Sequence, residues 1–90
     1  MQNNFNSELG NWYVASLVLQ VRPEYINGVK DKLATMPYTE IHGEKPDEGK
    51  LVVVMEADKE KALVSKMESL QTLEGVMAVS LIYSQRDEIN

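Results

Sequence analysis

Three stretches of the chain are apolar at nearly every position, namely residues 13–21, 51–57 and 76–83. A strand with one wet face alternates polar and apolar residues, whereas a continuous apolar run is typical of a strand buried on both faces of a sheet. No Gly or Pro interrupts the first run, which ends at Arg22-Pro23. We therefore expect this run to form a strand near the middle of a small sheet, with Trp12 at its start.

Two segments between these runs have apolar residues at helical spacing. Pro23 favours the first turn of a helix, and Asp58 is predicted to cap a second helix through its carboxylate. Gly28 is expected to be tolerated inside the first helix rather than required for contact with the sheet. The predicted core-facing residues of the two helices are Ile26, Val29, Leu33 and Met36, and then Ala62, Leu63, Met67 and Leu70.

Residues 38–44 alternate weakly, and residues 45–49 supply Pro, Asp and Gly for a turn into the next apolar run. The order strand, helix, strand, strand, helix, strand predicts an α+β, ferredoxin-like βαββαβ sandwich. In that fold a four-stranded antiparallel sheet carries two helices on one face, and the first and third strands are central. We expect a flexible leader at residues 1–11, the domain at 12–85 and a polar tail at 86–90.

Alternation along each strand sorts the side chains between the helix-covered face and the opposite, open face. Glu56 is the only charge of the third strand, and Ser16 and Gln20 mark the polar parity of the first. The residues assigned to the covered face are Leu17, Leu19, Val21, Leu51, Val53, Met55, Met77, Val79 and Leu81. Those assigned to the open face are Val14, Ser16, Val18, Gln20, Tyr38, Glu40, His42, Val52, Val54, Glu56, Ala78, Ser80, Ile82 and Ser84.

The open face is predicted to be more apolar than a water-facing sheet, which normally carries Thr, Lys and Glu at alternate positions. An exposed apolar patch of this kind marks an interaction site. Two alternatives stay open. Valine favours strands wherever it lies, and the leader around Phe5 could fold back over the patch.

The charge balance narrows the choice of partner. The chain carries 14 acidic and 9 basic residues, for a net charge of −5. Nucleic acid and anionic lipid both favour clustered Lys and Arg, so neither is expected as the main partner, whereas a basic peptide would be attracted. The first ten residues lack the features of a secretory signal, and no run is long enough to span a membrane. The expected location is the cytoplasm, without stable membrane insertion.

Candidate chemistry is sparse. There is no Cys and only one His, His42, which makes a thiolate or catalytic zinc site improbable. Ser16 and Ser80 have no plausible base to activate them, and the central strands lack the aromatic residues with which RNA-recognition domains stack bases. The sequence therefore predicts a protein that is not an enzyme and that needs no cofactor or metal.

Three motifs carry a resemblance to a known family: SLVLQV at residues 16–21, LVVVMEA at 51–57 and LEGVMAVSLIY at 73–83. Together they resemble the NapD family, over roughly residues 12–85. The resemblance implies an assembly and proofreading chaperone that binds the twin-arginine (Tat) signal peptide of NapA, the catalytic subunit of periplasmic nitrate reductase. It also implies that export is delayed until that subunit has received its cofactors, and that the chaperone carries none itself.

A signal peptide of this kind suits the predicted open face. An apolar helix could lie on the valines while Glu40 and Glu56 meet the arginines. Alternatively the peptide could add as a strand along residues 76–83, whose lack of charge also favours weak self-association. A second functional hypothesis is a stand-alone regulatory domain that binds a small molecule and dimerises through its sheet, although the turn at residues 22–24 lacks the Gly expected beside a ligand.

Overall fold

The computed structural model describes the backbone of residues 11–88 and the side chains of residues 12–82. Four strands and two helices follow one another in the predicted order. They are β1 (Asn11–Val21), α1 (Ile26–Ala34), β2 (Thr39–Lys45), β3 (Lys50–Ala57), α2 (Glu60–Leu70) and β4 (Val76–Glu88). The strands form one antiparallel sheet in the order β2-β3-β1-β4, so the two most apolar strands are central. The ferredoxin-like prediction is confirmed.

The hydrophobic core lies between the helices and one face of the sheet. Alternate residues of β1 and β3 point into it, and the predicted facing of these two strands is confirmed. Both helices contribute their predicted stripes, with Met36, Ala62 and Met67 only partly buried at the margin. The buried residues are Ala15, Leu17, Leu19, Val21, Ile26, Val29, Leu33, Leu51, Val53, Met55, Ala57, Leu63 and Leu70.

Both helices begin differently from the prediction. A 3-10 turn, Pro23–Tyr25, precedes α1. Pro23 fixes only its own φ, and short 3-10 turns are frequent at the start of α-helices. The predicted cap by Asp58 is wrong: the N-cap position of α2 is Lys59, in extended conformation, and no side chain caps the helix. The helix starts one residue too late for the Asp58 carboxylate to occupy the capping position.

Strand β4 departs most from the prediction. It runs to Glu88 rather than ending at residue 83, and its pairing with β1 shifts register twice, which leaves Met77 and Ile82 without a partner. Met77 and Leu81, predicted to be buried, are 59% and 52% exposed. Ser84 was predicted to lie on the open face with Ala78 and Ser80. This prediction is wrong, because Ser84 pairs with Ala15, a residue of the helix-covered face, whereas Ala78 and Ser80 pair with open-face residues.

The helix layer explains the exposure on β4. The main sheet contacts of α1 are with β2, and those of α2 are with β3 and β1. The layer is therefore narrower than the sheet, and β4 projects beyond it. Of the predicted core residues of β4, Val79 alone packs partly against the core.

Two glycines allow close approaches between loops and strands. Gly49, at φ 69°, ends the β2–β3 turn, and its carbonyl oxygen accepts a 2.6 Å bond from the Val21 amide. Gly75, at φ 94°, lies so close to Tyr25 that an added Cβ would be 2.3 Å from the Tyr25 Cβ. Gly28, by contrast, has no atom within 4 Å of such a Cβ, so it is merely tolerated in the helix, as predicted.

Replacing these two glycines by alanine should change stability in opposite directions. Gly75→Ala forces a side chain into a left-handed backbone and against Tyr25, which should lower the free energy of unfolding by about 1–3 kcal/mol or more. Gly28→Ala removes a helix-weakening residue at an open position and should raise it by roughly 0.5–1 kcal/mol. Urea denaturation followed by circular dichroism measures both changes, and equal effects of the two substitutions would contradict the close approach at Gly75.

Candidate functional site

The sheet register places the polar and apolar residues of the open face in rows across the strands. Val54 of β3 lies between Glu40 and Ser16. Val18 lies between Val52 and Ser80 in the neighbouring row. By this register, and by the contact of His42 with Glu40, the described open face consists of Trp12, Val14, Ser16, Val18, Gln20, Glu40, His42, Gly43, Lys45, Lys50, Val52, Val54, Glu56, Ala78 and Ser80.

Four valines form the centre of this open face. Val14 and Val18 of β1 and Val52 and Val54 of β3 are each half-buried, and they face one another directly or diagonally across the two central strands. Gly43 adds no side chain beside Val52, which leaves that valine accessible from the β2 side. Among residues 12–82 no element packs over these valines, because both helices lie on the opposite face. The candidate leader cover around Phe5 lies outside the described residues.

A pair of polar side chains lies at the β2 side of the valines. A register shift makes His42 the extra residue of β2, since Ile41 pairs with Val53 and Gly43 with Val52. The His42 Nε2 lies 2.9 Å from the Glu40 Oε1. Both side chains are largely exposed, so the Glu40 carboxylate keeps free oxygen lone pairs that a cationic ligand could approach.

An aromatic corner, made by Trp12, Tyr38 and Lys66, closes one end of the open face, and sequence reasoning did not identify it as a unit. The Trp12 and Tyr38 rings lie 5.3 Å apart with their planes tilted by 59°. Lys66 of α2 reaches around the end of the sheet, where its Nζ lies 5.5 Å from the centre of the Tyr38 ring. The same Nζ donates hydrogen bonds of 2.8 Å to the Pro37 carbonyl and 2.9 Å to the Glu56 carbonyl.

The backbone explains why Tyr38 lies there. Tyr38 adopts φ 54° and is the only residue among those described, other than glycine, with a positive φ. Its carbonyl accepts a 2.9 Å bond from the Glu56 amide, which ties the start of β2 to the end of β3. The position of Trp12 on the open face follows from strand alternation, because Trp12 is two residues before Val14 on the same strand. Nothing in the sequence indicated the hydrogen bonds of Lys66.

Charge is distributed unevenly along the open face. Glu40 and Glu56 lie toward the aromatic corner, whereas Lys45 and Lys50 pair with each other in the row at the opposite end. In that row the Gln20 Nε2 already donates a 2.8 Å hydrogen bond to the Glu48 carbonyl, so this amide holds the β2–β3 turn. The opposite end also holds the Lys50–Glu48 ion pair, and the aromatic corner also holds the Lys66 ammonium. A preference of a cationic ligand for the corner end, called the acidic end below, therefore depends on the exposed Glu40 and Glu56 carboxylates.

The two candidate residues of β4 are Ser80, which lies at the edge of the valine centre, and Ile82, which lies apart from it. Ser80 pairs with Val18 and is exposed on the outer strand. Ile82 is 58% exposed at the second register shift and has no partner in β1. The structure therefore brings together the candidates of β1, β2 and β3 more closely than those of β4.

The open face presents half-buried apolar side chains with exposed carboxylates toward one end. In the described part of the chain, no group of three or more His, Cys, Asp or Glu side chains could hold a metal ion. No helix within residues 11–88 is long and apolar enough to cross a membrane. The groups that a ligand could contact on this face are the half-buried valines and the carboxylates at one end.

Comparison with known proteins identifies the family. Residues 12–88 match the family model described as NapD protein. The chain belongs to the NapD family. Chaperone NapD of Escherichia coli K12 is 40% identical over 78 residues, which cover 87% of this chain and 90% of that protein. Chaperone NapD of Haemophilus influenzae is 37% identical, with 98% of both chains covered.

A solved NapD structure has the same fold. The solution structure of the E. coli Tat proofreading chaperone protein NapD superposes with a TM-score of 0.76 at 39% identity, covering 82% of this chain and 78% of that one. The NapD match extends from the second residue of β1 to the end of β4, so it includes every residue assigned to the open face. The predicted family membership is confirmed, and the relatives are named as chaperones, which fits a protein without catalytic activity.

Removing the Lys66 ammonium should loosen the corner. Lys66→Met keeps most of the aliphatic stem but removes the lysine's hydrogen bonds to the Glu56 carbonyl and to the Pro37 carbonyl, which keeps a 3.1 Å bond from the Thr39 hydroxyl, so the free energy of unfolding should fall by about 1 kcal/mol. Lys61→Met, an exposed lysine of the same helix, is the control and should change stability by less than about 0.5 kcal/mol. Chemical denaturation measures both, and equal effects would show that the two hydrogen bonds contribute nothing.

Proposed function

We propose that this NapD-family chain binds the twin-arginine signal peptide of NapA, the catalytic subunit of the periplasmic nitrate reductase, on its open face. By holding that peptide in the cytoplasm, it delays Tat export until the subunit has received its cofactors. The observation that carries the proposal is the half-buried valine centre with two carboxylates at one end. The resemblance to a Tat proofreading chaperone supports the same conclusion.

The apolar contact supplies most of the affinity. A signal peptide has an apolar segment that readily forms a helix, and one face of such a helix fits over the valines of β1 and β3. Each valine is already half-buried, so covering it contributes less than the roughly 1.5–3 kcal/mol of complete burial. Several such contacts together are needed for binding at useful concentrations.

The carboxylates set the direction of the peptide. Glu40 and Glu56 attract the arginines, whereas Lys45 disfavours them at the opposite end, where Lys50 is paired with Glu48. Each arginine–carboxylate pair contributes about 0–1 kcal/mol at a wet rim, and about 1.5–3 kcal/mol for each hydrogen bond that is fully desolvated. The twin arginines therefore lie near the aromatic corner, and the apolar segment runs from there over the valines.

The polar candidates have unequal roles in this arrangement. Ser16 and Ser80 flank the valines with exposed or half-buried hydroxyls that can bond to peptide polar groups. Gln20 is occupied by its bonds to the β2–β3 turn, so its contribution to the site is positional. His42 acts through Glu40, whose carboxylate it contacts.

A small-molecule regulatory domain is less well supported by the same geometry. The loop after β1, where such a ligand would bind, lies against the protein's own β2–β3 turn, which is bonded to Val21 and Gln20. The backbone at that point is already paired and has little to offer a ligand.

Isothermal titration with a synthetic twin-arginine peptide tests the proposal. We expect micromolar or tighter binding, because the valines and the carboxylates act together. Val54→Arg places a cation in the centre of the apolar patch and should weaken binding by at least about tenfold. Glu56→Lys should weaken binding by a smaller factor, and its effect should disappear with a peptide whose arginines are replaced by glutamine.

The control for these variants is Val64→Arg. Val64 is 43% exposed on α2, on the helix side of the molecule, so this variant has the same change of charge and side-chain size away from the open face. It should bind the peptide as the unmodified chain does. Absence of heat with the unmodified chain, or equal weakening by the α2 and β3 arginine variants, would refute binding at the open face.

Trp12 gives a second readout that needs no label. It is the only Trp in the chain, and it lies at the acidic end of the open face. A peptide whose arginines lie near Glu56 should change Trp12 fluorescence, with the same saturation point as the titration heat. Saturable heat without any change in Trp12 emission would place the peptide elsewhere, including along β4.

A further inference from the structure

The two edges of the sheet differ sharply in charge. The outer edge of β2 carries Glu40, Glu44 and Lys45, charges of the kind that protect edge strands from pairing with another chain. The outer edge of β4 carries none from Val76 to Gln85, and its charged residues, Arg86, Asp87 and Glu88, all lie at the C-terminal end of the strand. One edge of this sheet is protected, and the other is open to strand addition.

Strand β4 also exposes large apolar side chains. Met77, Leu81 and Ile82 are each more than half exposed, at 59%, 52% and 58%. The narrow helix layer leaves part of the helix side of β4 uncovered, although Val76 and Val79 pack partly against the core. A cavity beside this strand is lined by Gln71, just after α2, and by residues 76–79. Exposed apolar residues on a long uncharged edge are the features of a strand that pairs with another strand.

Met77 and Leu81 lie symmetrically about Val79, two residues before it and two residues after it. An antiparallel copy of the same strand, related by a two-fold axis at Val79, places Met77 opposite Leu81 and Ala78 opposite Ser80. Large apolar side chains then face large ones, and small side chains face small ones, with no charge buried on either side. The strand is self-complementary, which identifies a second copy of this chain as the occupant.

We propose that two copies of this chain associate through antiparallel β4 pairing about Val79, which joins their four-stranded sheets into one continuous sheet. The register shifts at Met77 and Ile82 bend the strand near both ends of the self-complementary segment, so the shared ladder is short. Two molecules of charge −5 also repel each other. The dimer is therefore weak, forms at high protein concentration and is strengthened by salt, which screens the repulsion.

Pairing at this edge leaves the open face of each copy free. The two valine centres then lie on the same side of the joined sheet, and neither is covered by the association. The inference is thus independent of the proposed peptide binding, and either can fail without the other.

Sedimentation equilibrium of the full chain, without peptide, tests the proposal. The expected result is a monomer–dimer equilibrium between low micromolar and millimolar concentration, with a dissociation constant that falls as salt is added. Leu81→Lys puts two like charges at the paired edges and should raise the dissociation constant by at least about tenfold. Met77→Lys should do the same, and circular dichroism checks that both variants keep the fold.

Two controls separate this dimer from other associations. Val64→Lys, on α2, should leave the dissociation constant unchanged. Val54→Arg should also leave it unchanged, because the open face is outside the β4 contact. A dimer that Val54→Arg breaks and Leu81→Lys does not break would overturn the proposal, as would a chain that stays monomeric at all concentrations.

Amide hydrogen exchange locates the contact directly. Outward-facing amides of residues 77–82 should become protected as the concentration of the chain rises, while amides of the β2 edge should not. Protection that appears only when an extended peptide is added, in a chain that remains monomeric, would assign the edge to a different polypeptide and overturn self-pairing.

Discussion

Two helices can bury only one face of a four-stranded sheet, and the rest of this structure depends on that limit. Strands β1 and β3 are apolar on both faces, yet the core takes only their alternate residues, from Ala15 to Val21 and from Leu51 to Ala57. The valines of the other parity are left half-buried at the surface. A chain of 90 residues has little apolar material to spare, so valines kept at that surface favour a role in contact with a partner.

The sequence was sufficient to predict the central strands because each carries a polar marker of its parity. Glu56 in β3 and Gln20 in β1 fix which residues face water, and one assignment then sets every other residue of the strand. Strand β4 has no such charge before Arg86, and its two register shifts leave Met77 and Ile82 as extra residues. A bulge changes which residues face the core, but in an uncharged strand no polar residue marks the change in the sequence. The predicted burial of Met77 and Leu81 was therefore wrong.

The candidate site was predictable to the extent that it lies on straight strands. Val14, Val18, Val52 and Val54 are brought together by regular pairing, as alternation required. The aromatic corner was not, because it depends on the positive φ of Tyr38 and on a lysine that reaches from α2 to two loop carbonyls. Such contacts arise where the chain leaves the regular elements, and residue spacing contains no information about them.

The distribution of charge favours different partners at the open face and at the β4 edge. Two copies whose open faces stacked with their aromatic corners together would bring Glu40 and Glu56 of one toward those of the other, and the like charges would oppose that contact. The same carboxylates attract a cationic peptide, so on one surface they favour the peptide and disfavour this mode of self-stacking. The β4 edge lacks charge between Val76 and Gln85 and therefore discriminates by shape along that segment. An identical strand, whose large and small side chains alternate in the same order, is the partner that such an edge fits best.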